Sequence, residues 1–565
     1  MVNYLTYVKK CCKLIMASKI FLKRRITLES LKILIQLAGG LGLFIYGMKI
    51  MGDGLENAAG DGLKSILEKV TKNPIIAVIV GAIVTAVIQS SSATTVMVVG
   101  FVNAGLMNLA QAAGIIMGAN IGTTITAQLV AFKLDAIAPL FVFLGAFTVM
   151  FAKGKKRKDI GNIILGFGIL FVGMGQMSES MKPLTALPVF KDILSTVGGK
   201  WYLGIVAGAL ITAVLQSSSA TTGILVALAA TGAISINHAL PIVFGCNIGT
   251  CITAMLASVG TNKTAHKAAM LHLIFNLGGT LIFIPVLISG ILGNIVSTLS
   301  PDDVTRQIAN AHTVFNIVNT AIMLPLTGVL IKAVNRIIPG DDDEEKMGPK
   351  YIDDRLLETP VIAAGQVAKE TLRMANKAKK GLDLALEAFN NNDERLIQKV
   401  YENEELINIL NESITNYLVK LSKCELSDKE SSIVSATFHV INDIERIGDH
   451  AENIADIAVQ KINKKLEYSS NAMEDINNMY NKTTESLKIA IDSYAKKDID
   501  KARKVNEIEA EVDKLQRKYR DLHIKRLYEG TCSAYAGAIY LDLLSNLERV
   551  SDHSLNIAES IIENS

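Results

Sequence analysis

Hydrophobic and polar positions divide this chain into two unlike parts. Up to about residue 338 the chain carries long apolar runs, among them Leu31–Met51, Ile160–Met177 and Ala265–Ile288. Runs of about 20 apolar residues match the hydrocarbon thickness of a bilayer and predict membrane-spanning helices. From about Gly340 the pattern turns to Glu, Lys, Asp and Asn set around an apolar stripe at helical period, without the alternation that marks strands. The expected fold class is all-α: a polytopic membrane part followed by a soluble helical one.

One apolar stretch, Trp201 to Ile234, is broken in its middle by TAVLQSSSATTG at 212–223. The break has a near copy upstream, TAVIQSSSATTV at 85–96, at an offset of 127 residues. The offset persists downstream, pairing GANIGTTITAQL from Gly118 with GCNIGTCITAML from Gly245, and Asn120 with Asn247. Gly42–Met51 echoes Gly168–Met177 at an offset one residue shorter. The membrane part is therefore a duplicated unit. Each copy is expected to hold one spanning helix, two apolar half-segments joined at the QSSS tip, a glycine-interrupted helix carrying Asn-Ile-Gly-Thr, and a further helix. The first copy covers about 31–152, the second about 158–290, and an extra helix at about 308–338 lies outside the duplication.

If each QSSS segment enters and leaves on one side, a unit crosses the membrane three times, and an odd number turns the second unit upside down. Placing the basic loop KGKKRK (153–158) inside also puts Lys64, Lys69, Lys72, Lys263, Lys267 and the soluble domain in the cytoplasm, as the positive-inside bias favours. Residues 1–30 form a basic extension that this seven-crossing plan leaves outside. Three explanations stay open: it lies along the interface, it adds a crossing, or translation starts later. It lacks the apolar core and cleavage site of a signal peptide.

A break within hydrocarbon strands backbone N–H and C=O groups, which is tolerated only in a protein interior or a watered cavity. A helix starting just after the serines points free amides and its positive dipole end at the tip, ringed by hydroxyl donors, and this attracts an oxyanion. Two tips arriving from opposite faces offer such donors to a tetrahedral anion near the midplane. Gln oxygens, Thr hydroxyls and unwound carbonyls are hard ligands of the kind Na+ prefers. Close packing of small residues is the competing explanation. Duplication of the whole pattern, with Asn-Ile-Gly-Thr beginning 31 residues after each Gln, favours a site. Two pentads, His272-Leu-Ile-Phe-Asn276 and His312-Thr-Val-Phe-Asn316, fall in later helices and fit either a structural or a gating role. The spans carry no row of Asp or Glu, which argues against a carboxylate-relay proton pump.

At these residues the chain resembles the type II sodium-dependent phosphate cotransporter family, whose hallmark is paired QSSS motifs, over about residues 35–335. The resemblance implies inverted-topology repeats with two re-entrant hairpins, and phosphate uptake driven by Na+ through alternating access. It implies that Ser90, Ser91, Ser92, Ser217, Ser218 and Ser219 line the phosphate site. Gln216, Ser217, Thr250 and Thr253 would serve sodium, with Gln89, Thr123 and Thr126 as their repeat mates and Asn120 and Asn247 in support. Cys251 departs from the pattern, standing where vertebrate members tend to carry a further Thr.

An acidic linker, 339–354, begins Pro339-Gly-Asp-Asp-Asp-Glu-Glu345 and precedes the soluble region 355–565, itself duplicated. NDIERIGDHAENIAD at 442–456 matches SNLERVSDHSLNIAE at 545–559, an offset of 103. Glu445 and Asp449, like Glu548 and Asp552, stand four apart on one helix face, followed by His450 or His553. A solvated face is the plainer reading; two copies in matching apolar frames raise a metal role, for which oxygen ligands with His suit Fe, Mn or Mg better than Zn. Here the chain resembles a PhoU-type domain, six helices in two three-helix bundles. That resemblance implies metal-binding E/D-x-x-x-D motifs and a part in phosphate regulation, and leaves open a homodimer formed through this region.

The formal net charge of +3 averages two unlike parts and points to no nucleic-acid partner. The six cysteines (Cys11, Cys12, Cys246, Cys251, Cys424 and Cys532) show neither metal-ligand spacing nor a disulfide framework. Motifs intact in both repeats favour a transporter of the cytoplasmic membrane. The alternatives are a phosphate-responsive sensor with little turnover and a carrier of another oxyanion. An enzyme is not expected, since no Walker loop and no nucleophile with its base can be assembled.

Overall fold

The computed structural model describes residues 2–59, 73–132, 134–185, 199–340, 347–424 and 428–563, with isolated positions between 190 and 197 and at 426. Side chains are described from residue 31 onward, apart from 358, 428 and 429. Lys64, Lys69, Lys72 and linker positions 341–346 lie outside the described residues. Among the described residues every regular element is a helix. The chain divides into two units, Met1–Asp342 and Asp343–Ser565.

The first unit opens with α1 (Val2–Ala59), one helix running unbroken through the basic extension. Next come α2 (Pro74–Ile88), α3 (Ser91–Asn103), α4 (Leu109–Gly122), α5 (Thr124–Val130) and α6 (Ala138–Phe151). The second copy runs α7 (Lys155–Thr185), α8 (Trp201–Leu215), α9 (Ser218–Ala230), α10 (Ile236–Ser258) and α11 (Lys263–Ile288). Three helices follow: α12 (Ile291–Leu299), α13 (Val304–Met323) and α14 (Thr327–Ile337).

Among the described residues five stretches are long and apolar enough to span a bilayer, in α1, α4–α5, α7, α10 and α11, and the bent pair α13–α14 makes a sixth. The expectation of seven fails at α6, whose 14 residues reach only about 21 Å against a hydrocarbon core of roughly 30 Å. Nor is 308–338 a single helix. Helices α13 and α14 meet at 82°, across a joint containing Pro325, which has no amide to offer the helical ladder. Side chains such as Phe143, Met150 and Phe151 on α6 and Val214 on α8 face outward, as contact with lipid requires.

Glycines decide how these helices meet. A Cβ on Gly47 of α1 would lie 2.4 Å from the Leu170 nitrogen of α7, and one on Gly166 would lie 2.4 Å from the Met51 nitrogen. Gly40 and Gly173 stand in the same reciprocal relation. Because Gly40 meets Gly173 while Gly47 meets Gly166, α1 and α7 run antiparallel. The helices expected to be interrupted by glycine are not: α10 continues through Gly245 and Gly249. These glycines serve contact instead. A Cβ on Gly245 would sit 2.0 Å from the Ile205 carbonyl oxygen of α8, and one on Gly118 would sit 2.0 Å from that of Val78 on α2. In the first copy the helix breaks after Gly122, at Thr123, and resumes as α5. Phe44, Phe171, Phe244 and Phe315 belong to one buried cluster that joins both copies.

The second unit begins with a short 3-10 turn, Asp354–Glu358, and holds α15 (Pro360–Asn391), α16 (Glu394–Leu421), α17 (Asp428–Asn463), α18 (Ser470–Lys496), α19 (Ile499–Tyr528) and α20 (Ala534–Glu563). The three helices of each half pack together, and α17 packs against α20 between the halves. Duplication reaches the joints. Asn392 (φ 54°) ends α15 and Lys497 (φ 52°) ends α18 in the left-handed conformation, and Asp393 and Asp498 then cap α16 and α19.

Candidate functional site

Each QSSS segment is a sharp reversal between two short helices. Thr85 Oγ1 donates to Thr94 Oγ1 at 3.0 Å and Thr212 Oγ1 to Thr221 Oγ1 at 2.9 Å. In a continuous helix residues nine apart are separated by about 13 Å, so the chain has turned back. The reversal is made at Gln89 (φ 59°) and Gln216 (φ 53°), both in the left-handed region, at a cost of about 1–3 kcal/mol for a residue other than glycine. The next residue caps the following helix: Ser90 Oγ accepts from the Ala93 amide and Ser217 Oγ from the Ala220 amide, both at 3.1 Å. Helix geometry leaves the amides of Ser91, Ser92, Ser218 and Ser219 without intrahelical acceptors, at the positive ends of α3 and α9.

The two tips touch. Ser92 Oγ donates to the Gln216 backbone oxygen at 3.3 Å, across 124 residues of sequence. Ser91, Ser218 and Ser219 are buried, so the expected serines gather at one junction. The expected sodium residues are disposed differently in the two copies. Gln89 is 7% exposed and its Oε1 accepts from Thr126 Oγ1 at 2.8 Å. Its repeat mate Gln216 is exposed, and Thr253 Oγ1, the mate of the Thr126 hydroxyl, is buried without a hydrogen-bond partner. Thr123 Oγ1 is likewise buried and unpartnered, whereas Thr250 Oγ1 donates to the Cys246 carbonyl at 2.9 Å. One copy has its Gln–Thr contact made and the other has it open.

Asn120 and Asn247 are held by the two pentads, each from a different helix. His272 Nε2 lies 3.3 Å from Asn120 Nδ2, and His312 Nε2 lies 3.2 Å from Asn247 Oδ1. Asn316 Oδ1 accepts from Asn247 Nδ2 at 3.3 Å. The pentads thus tie α11 to the first copy's Asn-Ile-Gly-Thr and α13 to the second's. Cys251 Sγ turns to the His272 carbonyl at 3.5 Å and the Asn276 amide at 3.3 Å, a contact between α10 and α11. Sequence reasoning missed the Thr85–Thr94 and Thr212–Thr221 pairs, although each threonine lies inside the repeated motif.

In the second unit Glu445 and Asp449 lie on α17, and Glu548 and Asp552 on α20. Three carboxylates converge there, Glu509 and Asp513 of α19 with Asp552, their oxygens within 4.8 Å of one another. Burial, then the charge of Asp513, holds the carboxyls of Glu509 and Asp552 above the usual range. Glu548 is raised by burial and then by Asp552. In the first half Glu445 is raised by burial and Asp449, and Glu404 by burial and Glu452. Asn408 stands where the second half has Asp513 and donates to Glu404 Oε1, so the first half has one carboxylate fewer. The histidines do not join these groups, against the expectation of His among the ligands. His450 Nδ1 meets Asn546 Oδ1 and His553 Nδ1 meets Asp443 Oδ1, each at 2.9 Å, with the two rings stacked at 5.6 Å between the halves.

A lipid-facing helical unit with two touching half-helix tips defines a polytopic membrane protein of the kind that carries solutes. The chain matches the family described as Na+/Pi-cotransporter over residues 43–179 and 173–324, and the PhoU domain over 371–458 and 476–561. It belongs to the Na+/Pi-cotransporter family, with PhoU domains following the membrane part. It is 26% identical over 533 residues to the Escherichia coli protein named "Putative inorganic phosphate export protein YjbB", covering 94% of this chain and 97% of that one. The Bacillus subtilis protein YqeW is 33% identical over 308 residues, 54% of this chain and 99% of its own. The crystal structure of PhoU from Pseudomonas aeruginosa aligns at 22% identity and a TM-score of 0.35, covering 37% of this chain and 98% of that one.

Proposed function

We propose that the chain couples Na+ movement to transport of inorganic phosphate across the cytoplasmic membrane by alternating access, with its PhoU-like unit in the cytoplasm as regulator. The observation that carries this reading is the contact between the tips, Ser92 Oγ on the Gln216 carbonyl. It brings two half-helix N-termini and the six serines to one junction, where amides and hydroxyls can donate to a tetrahedral anion in place of water. Gln216, Ser217, Thr250 and Thr253 supply oxygen ligands for Na+; the unpartnered, buried Thr253 hydroxyl is a ligand atom awaiting a partner. The antiparallel meeting of α1 and α7 supports inverted repeats. The unequal Gln–Thr contacts support a carrier caught with one half closed and the other open. The relative's name speaks of export; a gradient-coupled carrier runs whichever way the summed gradients push.

The PhoU-like unit carries a donor set that fits a divalent cation. Glu509, Asp513 and Asp552 offer three convergent carboxylate oxygens, hard ligands suited to Mn, Mg or Fe. A bound ion would offset the mutual repulsion that raises their pKa values.

The test is uptake of radiolabelled phosphate into proteoliposomes under an inward Na+ gradient, with an equal K+ gradient as control. Accumulation should require Na+ and should vanish in Ser218→Trp while protein insertion is unchanged. Equal accumulation with K+ would remove the sodium coupling, and normal uptake by Ser218→Trp would remove the tips from the path.

A further inference from the structure

The second unit carries a surface pocket of about 460 Å³, within the roughly 300–1,000 Å³ typical of small-ligand sites. Five of its lining residues are cationic, Lys350, Lys369, Arg373, Lys377 and Lys380, and none is acidic. Four of them follow each other on one face of α15 at helical spacing, where like charges three or four residues apart repel. A solvated face normally avoids this by mixing signs. The equivalent face in the other half does so: at the offset of 105 residues that aligns α15 with α18, Glu474, Asn478 and Glu485 replace Lys369, Arg373 and Lys380. Lys482, the mate of Lys377, pairs there with Glu485 at 3.1 Å and Glu511 at 2.9 Å.

The pocket is also built. Between Lys369 and Lys380 the one acidic residue is Glu370, whose side chain is fully buried. Its Oε2 accepts from the Lys350 and Tyr351 amides at 2.7 and 2.5 Å, and its Oε1 from Arg373 Nη1 at 2.7 Å. Arg373 Nη1 donates as well to the Gly348 carbonyl at 3.0 Å. The strap 348–351 is thereby stitched to α15 and Lys350 is carried to the pocket's wall. Glu370 is spent on the backbone of the strap and leaves the lysines uncompensated.

We propose that this pocket is a binding site for an anion bearing several phosphoryl groups, separate from the transport junction. One phosphate engages two or three donors, whereas Lys369 to Lys380 alone cover about 16 Å of helix, which calls for a chain of linked phosphoryl groups. A soluble polyphosphate and the headgroups of anionic phospholipids share that chemistry.

Calorimetric titration of sodium tripolyphosphate into the full-length protein in phosphatidylcholine nanodiscs tests the site. Saturable 1:1 binding that weakens with added salt is expected, falling at least about tenfold in Lys369→Glu/Lys380→Glu. It should be unchanged in Lys488→Glu, an exposed lysine of α18, and in the transport variant Ser218→Trp. That last arm separates this site from the transport reading: binding retained by a variant that no longer takes up phosphate keeps the pocket whatever becomes of the junction. Circular dichroism confirms folding of each variant. Binding that persists in nanodiscs containing phosphatidylglycerol assigns a soluble ligand. Binding lost there, with phosphatidylglycerol adducts retained by the wild type and missing from the double variant in native mass spectrometry, assigns the lipid. No titratable binding together with no difference in adducts, or equal affinity in the folded double variant, overturns the proposal.

Discussion

Thr126→Val is the perturbation that most directly examines the unequal hairpins. Thr126 Oγ1 donates to Gln89 Oε1 at 2.8 Å, with both residues buried. Valine keeps the shape and removes the donor, so the Gln89 oxygen loses that partner at a cost of about 1–3 kcal/mol. At 1.4 kcal/mol per factor of ten this shifts the balance away from the observed state by roughly 5–150-fold. Thr253→Val is the mirror control. Its hydroxyl makes no hydrogen bond in this state, so its loss costs nothing here and removes a contact only from the opposite state. Amide hydrogen exchange in Na+-free nanodiscs reads both. Peptides over 85–95 should exchange faster in Thr126→Val, by a factor within that range, while those over 212–222 should gain protection in Thr253→Val or stay unchanged. If both variants deprotect the same hairpin, or if Thr126→Val leaves 85–95 untouched, the two contacts are not alternates of one another.

Other perturbations bear on the helix contacts and on the second unit. Gly47→Leu and Gly166→Leu each force a Cβ to within 2.4 Å of a backbone nitrogen and should cost about 3 kcal/mol or more, whereas Gly42, with nothing within 4 Å, should tolerate leucine; monodispersity on size exclusion and thermal melting distinguish them. Cys251→Thr should leave sodium activation of uptake unchanged, because Sγ faces α11 and not the tips; a changed Na+ dependence would place that side chain at the ion. Mn2+ should raise the melting temperature of the second unit in the full-length chain and fail to do so in Asp513→Asn. Because the Glu509 and Asp552 carboxyls are raised, they repel fully above their folded-state pKa and are relieved as pH falls toward the ordinary value near 4. The Mn2+ increment should therefore shrink on acidification, and an increment independent of pH would exclude these ligands. His450 has the opposite sign. Burial holds it below its ordinary 6.5, so its contribution is fully present above that pH and is lost as pH falls toward the depressed value. The stability difference between wild type and His450→Asn should narrow below about pH 6.5.

Much of the architecture was legible in the chain itself. Apolar run length separates membrane from soluble parts because hydrocarbon thickness and helical rise set a common length. Two copies of QSSS, 127 residues apart, announce two broken segments, since a polar break repeated inside hydrocarbon must be satisfied twice. The all-α reading of the second part and its internal duplication follow from helical period alone. Tertiary structure decided the rest. Asn-Ile-Gly-Thr reads as an interrupted helix from composition, but its glycines are where α4 and α10 press against α2 and α8, a matter of which backbone lies opposite. Nothing local pairs Asn120 with His272 across 152 residues, brings Glu509 and Asp513 to Asp552, or makes one Gln–Thr contact and leaves its twin open. Period and propensity record the interactions of a residue with its chain neighbours. Identical motifs in unequal states differ only in what packs around them, and that energy belongs to the folded whole.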